Sequence, residues 1–309
     1  PGLHVLMQDA NKLDAIPKYH SSGPLPNIMS DDPVALREES LARLQSLLDS
    51  IDGPQVTLIG DTMLDRYHYG FANNLNSTAP VPVLKIFQSD ESPGASAHIA
   101  IGLTSFGMNV SFHTAIGDDD EGESIISSLK NMDISIDNVV EVSDRKTLTK
   151  IRFFGSRESL LDRRQILLQA DRGPNEPLEL EISDSLTKSA HSSISNSCAL
   201  VISDYDKGVV TLDGAQSLIS TANKLGIPAI VDPKLTGLDK SRGATVVIFE
   251  KRGMSLLSRR IGLDDDNAAK QLMDEYSWDG ILVLGGIHGI DLHQSEGSSV
   301  HMPCMAPSA

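Results

Sequence analysis

A chain of 309 residues that is 40% apolar is long enough for one large domain or two ordinary ones and can bury a sizeable core. No run approaches the ~18 uninterrupted apolar residues of a membrane-spanning helix. With 42 acidic against 26 basic residues the net charge is −16, which repels phosphate backbones and excludes a general nucleic-acid or anionic-membrane binder. Cys198 and Cys304 are too few for a disulfide framework and suit an intracellular, reducing compartment. The start at Pro1 carries no charged leader followed by an apolar run, so cytoplasm and organelle lumen stay equally open. The 9 histidines are scattered without ligand spacing, and no structural metal is predicted.

In chain order, Pro17, Gly23, Pro24, Pro26 and Pro33 interrupt every periodic run and predict an N-terminal arm. A helix follows from Pro33, with Asp31 or Asp32 as N-cap and an apolar stripe at Leu36, Leu41, Leu44, Leu47 and Leu48. Arm and helix together occupy residues 1–50, and residues 51–309 form the main domain. From Val56 the pattern becomes buried strands alternating with helices. Val56 to Ile59 is an apolar run closing on Gly60-Asp61, as parallel strands do where their carboxyl ends meet a ligand crevice. Val81 to Phe87, opened by Pro80 and Pro82, reads as an edge or lid strand. Helices are predicted over 98–106, 123–131, 211–225 and about 266–276. Strands are predicted over 110–116, 137–142, 147–154, 199–204, 229–232, 245–249 and 281–284. Repeated strand–helix–strand units with polar strand ends predict a doubly wound α/β fold, with small lid strands at about 67–92 and 137–155.

Five stretches share one register: Gly60-Asp61-Thr62-Met63-Leu64-Asp65-Arg66-Tyr67, Ala79-Pro80-Val81-Pro82-Val83, Pro93-Gly94-Ala95-Ser96-Ala97-His98, Ser203-Asp204-Tyr205-Asp206-Lys207-Gly208 and Asp232-Pro233-Lys234. Together they resemble the ribokinase-like, phosphofructokinase-B type carbohydrate kinases, most of all the heptose-phosphate kinase domain of ADP-heptose synthases. The resemblance implies a ribokinase-like α/β fold and a sugar site at Asp61, Asp65, Gly94 and Asp204. Asp61 is the expected sugar contact, while Asp65 either joins it or caps the following turn. The family's second turn glycine is Ala95 here and its sugar-binding asparagine is His98, both bulkier where close approach matters. Lys207 and Lys234 follow strand-end aspartates and are the cations best placed for a substrate phosphate, with Arg66, Arg152 and Arg157 as alternatives; each reads equally well as a surface charge.

On the nucleotide side the resemblance fails. The family's asparagine, glutamate and threonine positions hold Glu250, Gly253 and Leu284, and no Gly-Ala-Gly-Asp helix with its catalytic aspartate precedes Ala309. The expectation is therefore a degenerate family member lacking the C-terminal part of the fold, without a catalytic base or cofactor, and serving as a structural or interaction subunit. A protein partner or second chain is expected over the open sheet face, and a homodimer through the lid strands is a further expectation. Two alternatives stand beside it: an ATP-dependent sugar-phosphate kinase using Mg-ATP, whose remaining segment lies outside this sequence, and a sugar-phosphate sensor that binds without turnover.

Overall fold

The computed structural model describes residues 52–156, 164–297 and 299–304, with isolated helical positions between 42 and 49. The predicted N-terminal arm, the leucine stripe from Leu36 to Leu48 and Arg157 lie outside the described residues. The first half of the chain runs β1 (Gln55–Gly60), β2 (Thr62–Leu75), β3 (Pro82–Ala95), α1 (Ser96–Ser105), β4 (Asn109–Gly117), α2 (Asp120–Asn131), β5 (Val139–Val142), β6 (Leu148–Ser156) and β7 (Gln165–Arg172). The second half continues with α3 (Leu180–Ile194), β8 (Ala199–Ser203), α4 (Leu212–Lys224), β9 (Ala229–Asp232), β10 (Val246–Glu250), α5 (Lys251–Ile261), α6 (Asp265–Tyr276), β11 (Gly280–Leu284), β12 (Ile290–Gln294) and β13 (Ser299–Met302).

Nine strands form the main sheet in the order β13-β12-β11-β10-β9-β8-β1-β4-β5. From β11 to β5 every pairing is parallel, while β12 and β13 are added antiparallel. The parallel strands are mostly apolar because both faces are covered, with buried polar side chains such as Thr57, His113 and Thr114 among them. On one face α3, α4, α5 and α6 pack through Leu186, Leu218, Met254 and Leu272. On the other, α1 and α2 pack through Leu103 and Leu129 against Phe112 and Val201. This second face runs on to Leu284, Val300 and Met302, which are 41%, 38% and 59% exposed.

The lid is a separate four-stranded sheet in the order β3-β2-β6-β7. β2 and β3 pair antiparallel around a turn in which the Asn76 side chain accepts from the Thr78 amide at 2.8 Å. The prolines before β3 mark it as an edge strand, and an edge is where it sits. Two expectations change. Residues 139–142 belong to the main sheet, where Val139, Val140 and Val142 pack into its two apolar clusters. The outer lid strand is instead β7, whose Ile166, Leu167 and Leu168 are all exposed, so that no period-2 contrast betrays it. Helices α3 and α5 and the β12–β13 hairpin are also additions to the sequence reading. In α3 the signal was present as Ile182, Leu186, Ala190 and Ile194, diluted by five serines and a threonine. Among the described residues no helix is long and apolar enough to cross a membrane.

Leu129 is fully buried between α2 and the sheet. Leu129→Ala is expected to cost about 2–5 kcal/mol, read as a fall in the urea midpoint at unchanged slope; an unaltered midpoint would remove this cluster from the core.

Candidate functional site

The parallel register brings a row of side chains to the carboxyl ends of five adjacent strands. From the outside inward these are Leu284 after β11, Glu250 after β10, Asp232 after β9, Asp204 after β8 and Asp61 after β1. Gly60 permits the close crossing there, because a Cβ would strike the Ser203 carbonyl.

Asp61 is 2% exposed. Its carboxylate accepts the backbone N–H groups of Tyr205, Lys207 and Val209 at 2.8, 3.1 and 3.2 Å. Alternate amides of the 205–209 turn converge on it, a path that takes Asp206 and Gly208 into positive φ. Burial pushes the Asp61 pKa up, and the three amides only partly offset that. Asp61 is thus the carboxylate around which the turn is built, and it still lines the cleft that opens at the strand ends.

Asp65 lies on the lid face that looks into the crevice. Its carboxylate takes the Arg152 guanidinium at 2.5 Å, and Arg152 also reaches the Tyr67 hydroxyl at 3.4 Å. Gly94 lies diagonally from it on β3, opposite Met63, where any Cβ would collide with the Asp65 carboxylate. Tyr205 sits below, with Lys150 Nζ 5.4 Å from its ring centroid. The structure therefore brings Asp65, Gly94, Arg152, Lys150 and Tyr205 together. Arg66 is one residue further along β2 and on the opposite lid face, bound to Glu91 at 2.5 Å and Glu121 at 3.1 Å, which takes it out of the crevice. His98 and Lys234 are both exposed, on the first turn of α1 and beyond β9. Asp204 is buried, its Oδ1 accepting from Lys240 Nζ and the Asp206 amide at 3.0 Å each.

A narrow cleft opens beside Asp61 between the strand ends and the base of the lid. Its lining includes Thr62, Ile116, Arg145, Lys146, Thr147 and Lys207, three cations gathered around the Asp61 carboxylate, which also lines it, in a protein with a large negative charge. Arg145 donates to the carbonyl oxygens of Lys207 at 2.8 Å and Glu176 at 3.4 Å. Burial lowers its pKa and the Asp61 charge raises it. Arg145, Lys240 and Lys150 are site residues that the sequence reading missed; only Arg145, next to a strand start and within a basic Arg-Lys pair, carried a local signal.

The opposite end of the row is acidic. Asp232 is pushed up to about 6, first by burial and then by the charges of Glu250 and Asp204. The Tyr205 hydroxyl is pushed up to about 12 by burial and by Asp232, Glu250, Asp65 and Asp61. At neutral pH it remains a hydrogen-bond donor placed between the two ends. Among the described residues no three His, Cys, Asp or Glu side chains converge to hold a metal ion.

An open parallel sheet with a four-stranded lid over its carboxyl ends is the architecture of the ribokinase-like sugar kinases. Phosphofructokinase-2 from Escherichia coli in complex with fructose-6-phosphate superposes with a TM-score of 0.61 at 18% identity, over 83% of this chain and 82% of that one. Arabidopsis thaliana ribokinase complexed with ribose and ATP gives 0.61 at 14% identity, over 82% and 79%. The pfkB family carbohydrate kinase model matches residues 54–304, and the chain belongs to that family. Among curated relatives it is 33% identical over 257 residues to the bifunctional protein HldE of Actinobacillus pleuropneumoniae serotype 5b (strain L20), covering 82% of this chain and 51% of the relative. HldE of Salmonella dublin is 32% identical over 267 residues, covering 84% and 52%. The chain thus spans about half the length of the curated relatives it matches.

Two expectations follow. Asp61→Ala leaves three amides without their acceptor and is expected to speed hydrogen exchange of Tyr205, Lys207 and Val209 well beyond any change in β9 and β10; equal protection in both proteins would contradict its anchoring of the turn. A carboxyl group whose folded pKa lies above its unfolded value opposes folding once ionised. Asp232 therefore costs stability above pH 6, and the cost disappears as pH falls towards 4. Asp232→Asn is expected to gain stability at pH 7, about 3 kcal/mol at most, and to lose most of that gain only as pH falls to 4; an equal gain in denaturation midpoint at pH 7 and pH 4 would refute the shift.

Proposed function

We propose that this chain is a pfkB-family domain that does not transfer phosphoryl groups and serves as a structural or interaction subunit of a larger assembly. The observation that carries the reading is the placement of Glu250 beside Asp232. Two carboxylates share the strand-end region where the family resemblance puts ATP phosphates, and the Asp232 pKa is raised first by burial and then by the Glu250 charge. A triphosphate brought there meets like charge, so these residues do not fit Mg-ATP. Gly253, in the first turn of α5, and the half-exposed Leu284 supply neither a carboxylate nor a hydroxyl at the other two nucleotide positions. The face bearing Leu284, Val300 and Met302 supports a protein partner or second chain as its cover, and the apolar lid residues Ile86, Phe87, Ile166 and Leu168 support pairing between two copies.

A second reading is favoured by the cationic cleft. Arg145, Lys146 and Lys207, with Arg152 and Lys150 above, suit the phosphate of a phosphorylated sugar whose hydroxyls would face Asp65, giving binding without turnover. The third reading, an ATP-dependent kinase for a heptose phosphate, rests on the family itself and on the likeness to HldE.

Thermal-shift titrations separate the three. Mg-ATP is expected to leave the melting temperature unchanged in the wild type, whereas the triple variant Glu250→Asn, Gly253→Glu, Leu284→Thr is expected to gain a saturable shift. A saturable wild-type shift with Mg-ATP, accompanied by ADP formation with a heptose phosphate, would overturn the non-catalytic reading. A shift with sugar phosphates alone that Arg145→Ala abolishes would select the sensor.

A further inference from the structure

The lid is a separate sheet, and the contacts that set its angle gather on the face turned away from the crevice. Arg66 of β2, Glu91 of β3 and Arg172 of β7 share that face by register, because Arg66 opposes Glu91 and Arg172 opposes Thr149 beside Leu64. All three meet the first turn of α2. Glu121, only 7% exposed, accepts Arg66 Nη1 at 3.1 Å and forms a closer ion pair with Arg172. Arg66 Nε holds Glu91 at 2.5 Å, and the other oxygen of Glu91 accepts the Ser124 hydroxyl at 3.1 Å. One helical turn earlier, Asp119 caps α2 and accepts the Thr147 hydroxyl at 2.6 Å and the Thr147 amide at 3.0 Å, just ahead of β6. Each of the four lid strands is thereby tied, directly or by the residue before it, to residues 119–124.

We infer that the first turn of α2 is an electrostatic latch that sets the position of the lid over the crevice. Leu64, fully buried among residues of α1 and α2, is the apolar pivot at the base of β2, and the ion pairs lie further out along the same face. A latch built on guanidinium groups that are 23% and 45% exposed behaves differently from an apolar contact, since water solvates both when they let go. Two stable arrangements of a packed sheet on a helix, joined by such a catch, are a known basis of hinge motion. The latch also reaches the cleft: Thr147 donates to Asp119 and accepts from the Gly117 amide at 2.9 Å, and Thr147 and Ile116 line the cleft. Release of the lid therefore moves residues beside Arg145, whichever ligand the cleft takes.

The test places spin labels at Ser77→Cys on the lid tip and Lys224→Cys at the end of α4, in a Cys304→Ser background; the remaining Cys198 is buried. The wild type is expected to give one narrow distance distribution. Glu121→Gln is expected to add a second, longer distance populated above about 10% of molecules, with a cooperative melt showing that the main sheet is intact. Arg172→Gln is expected to add the same second distance, because it breaks the catch from the lid side. If Glu121→Gln does not fold, the Arg172→Gln and Glu91→Gln variants decide, since both side chains are accessible to solvent and can be altered without opening the core. A wild-type distribution that is already broad, or variants that fold and keep the single wild-type distance, would overturn the latch.

Discussion

A carboxylate withdrawn from water must be met by donors, and the meeting of Asp61 with three amides of the 205–209 turn is the joint on which the rest of the crevice depends. Leaving such a group without partners costs several kcal/mol by the transfer behaviour of buried charges. The turn therefore has one path that satisfies the carboxylate, and that path fixes where Tyr205 and Lys207 stand. The same residue ends β1 and begins the crossing into β2, so the lid, the central strand and the β8 turn share a single polar anchor.

From this anchor the strand ends divide into two electrostatic halves. Towards β4 and the lid lie Arg145, Lys146, Lys207, Lys150 and Arg152. Towards β10 lie Asp204, Asp232 and Glu250. In a protein with a net charge of −16 the cationic half is a local construction, maintained by carbonyl acceptors for Arg145 and by Asp65 for Arg152. Tyr205 stands at the boundary, where burial and then the surrounding carboxylates push its hydroxyl up to about 12. The division sets a cationic end against an acidic one, and on the proposed reading that is how membership of a kinase family and absence of phosphoryl transfer are compatible.

Much of this was legible before any coordinates. The strands ending in Gly60-Asp61, Ser203-Asp204 and Asp232 announced themselves by short apolar runs closing on a carboxylate, and parallel strands buried on both faces have no other way to read. The motif from Gly60 to Tyr67 carried the family. The reading was poorest in the lid, where β7 exposes three consecutive large apolar residues and so shows no alternation, and in the helices α3 and α5, where serine and arginine blur the stripe. Arg66 and Asp65 show the limit most directly. Adjacent residues of one strand point to opposite faces, so of two candidates that look equivalent in sequence one reaches the crevice and the other is bound to α2.

The sequence by itself determined the fold class and the polar strand ends, because these depend on residue type and short-range pattern; that Glu250, Gly253 and Leu284 stand at nucleotide-side positions is what the family resemblance implies. Only the tertiary structure decided that Asp61 is occupied by backbone amides, that Arg145 and Lys207 share a cleft, and that Glu121 gathers two arginines from strands β2 and β7. Those arrangements join residues far apart in the chain through sheet register and helix placement, and no local pattern encodes which distant charge a side chain will meet.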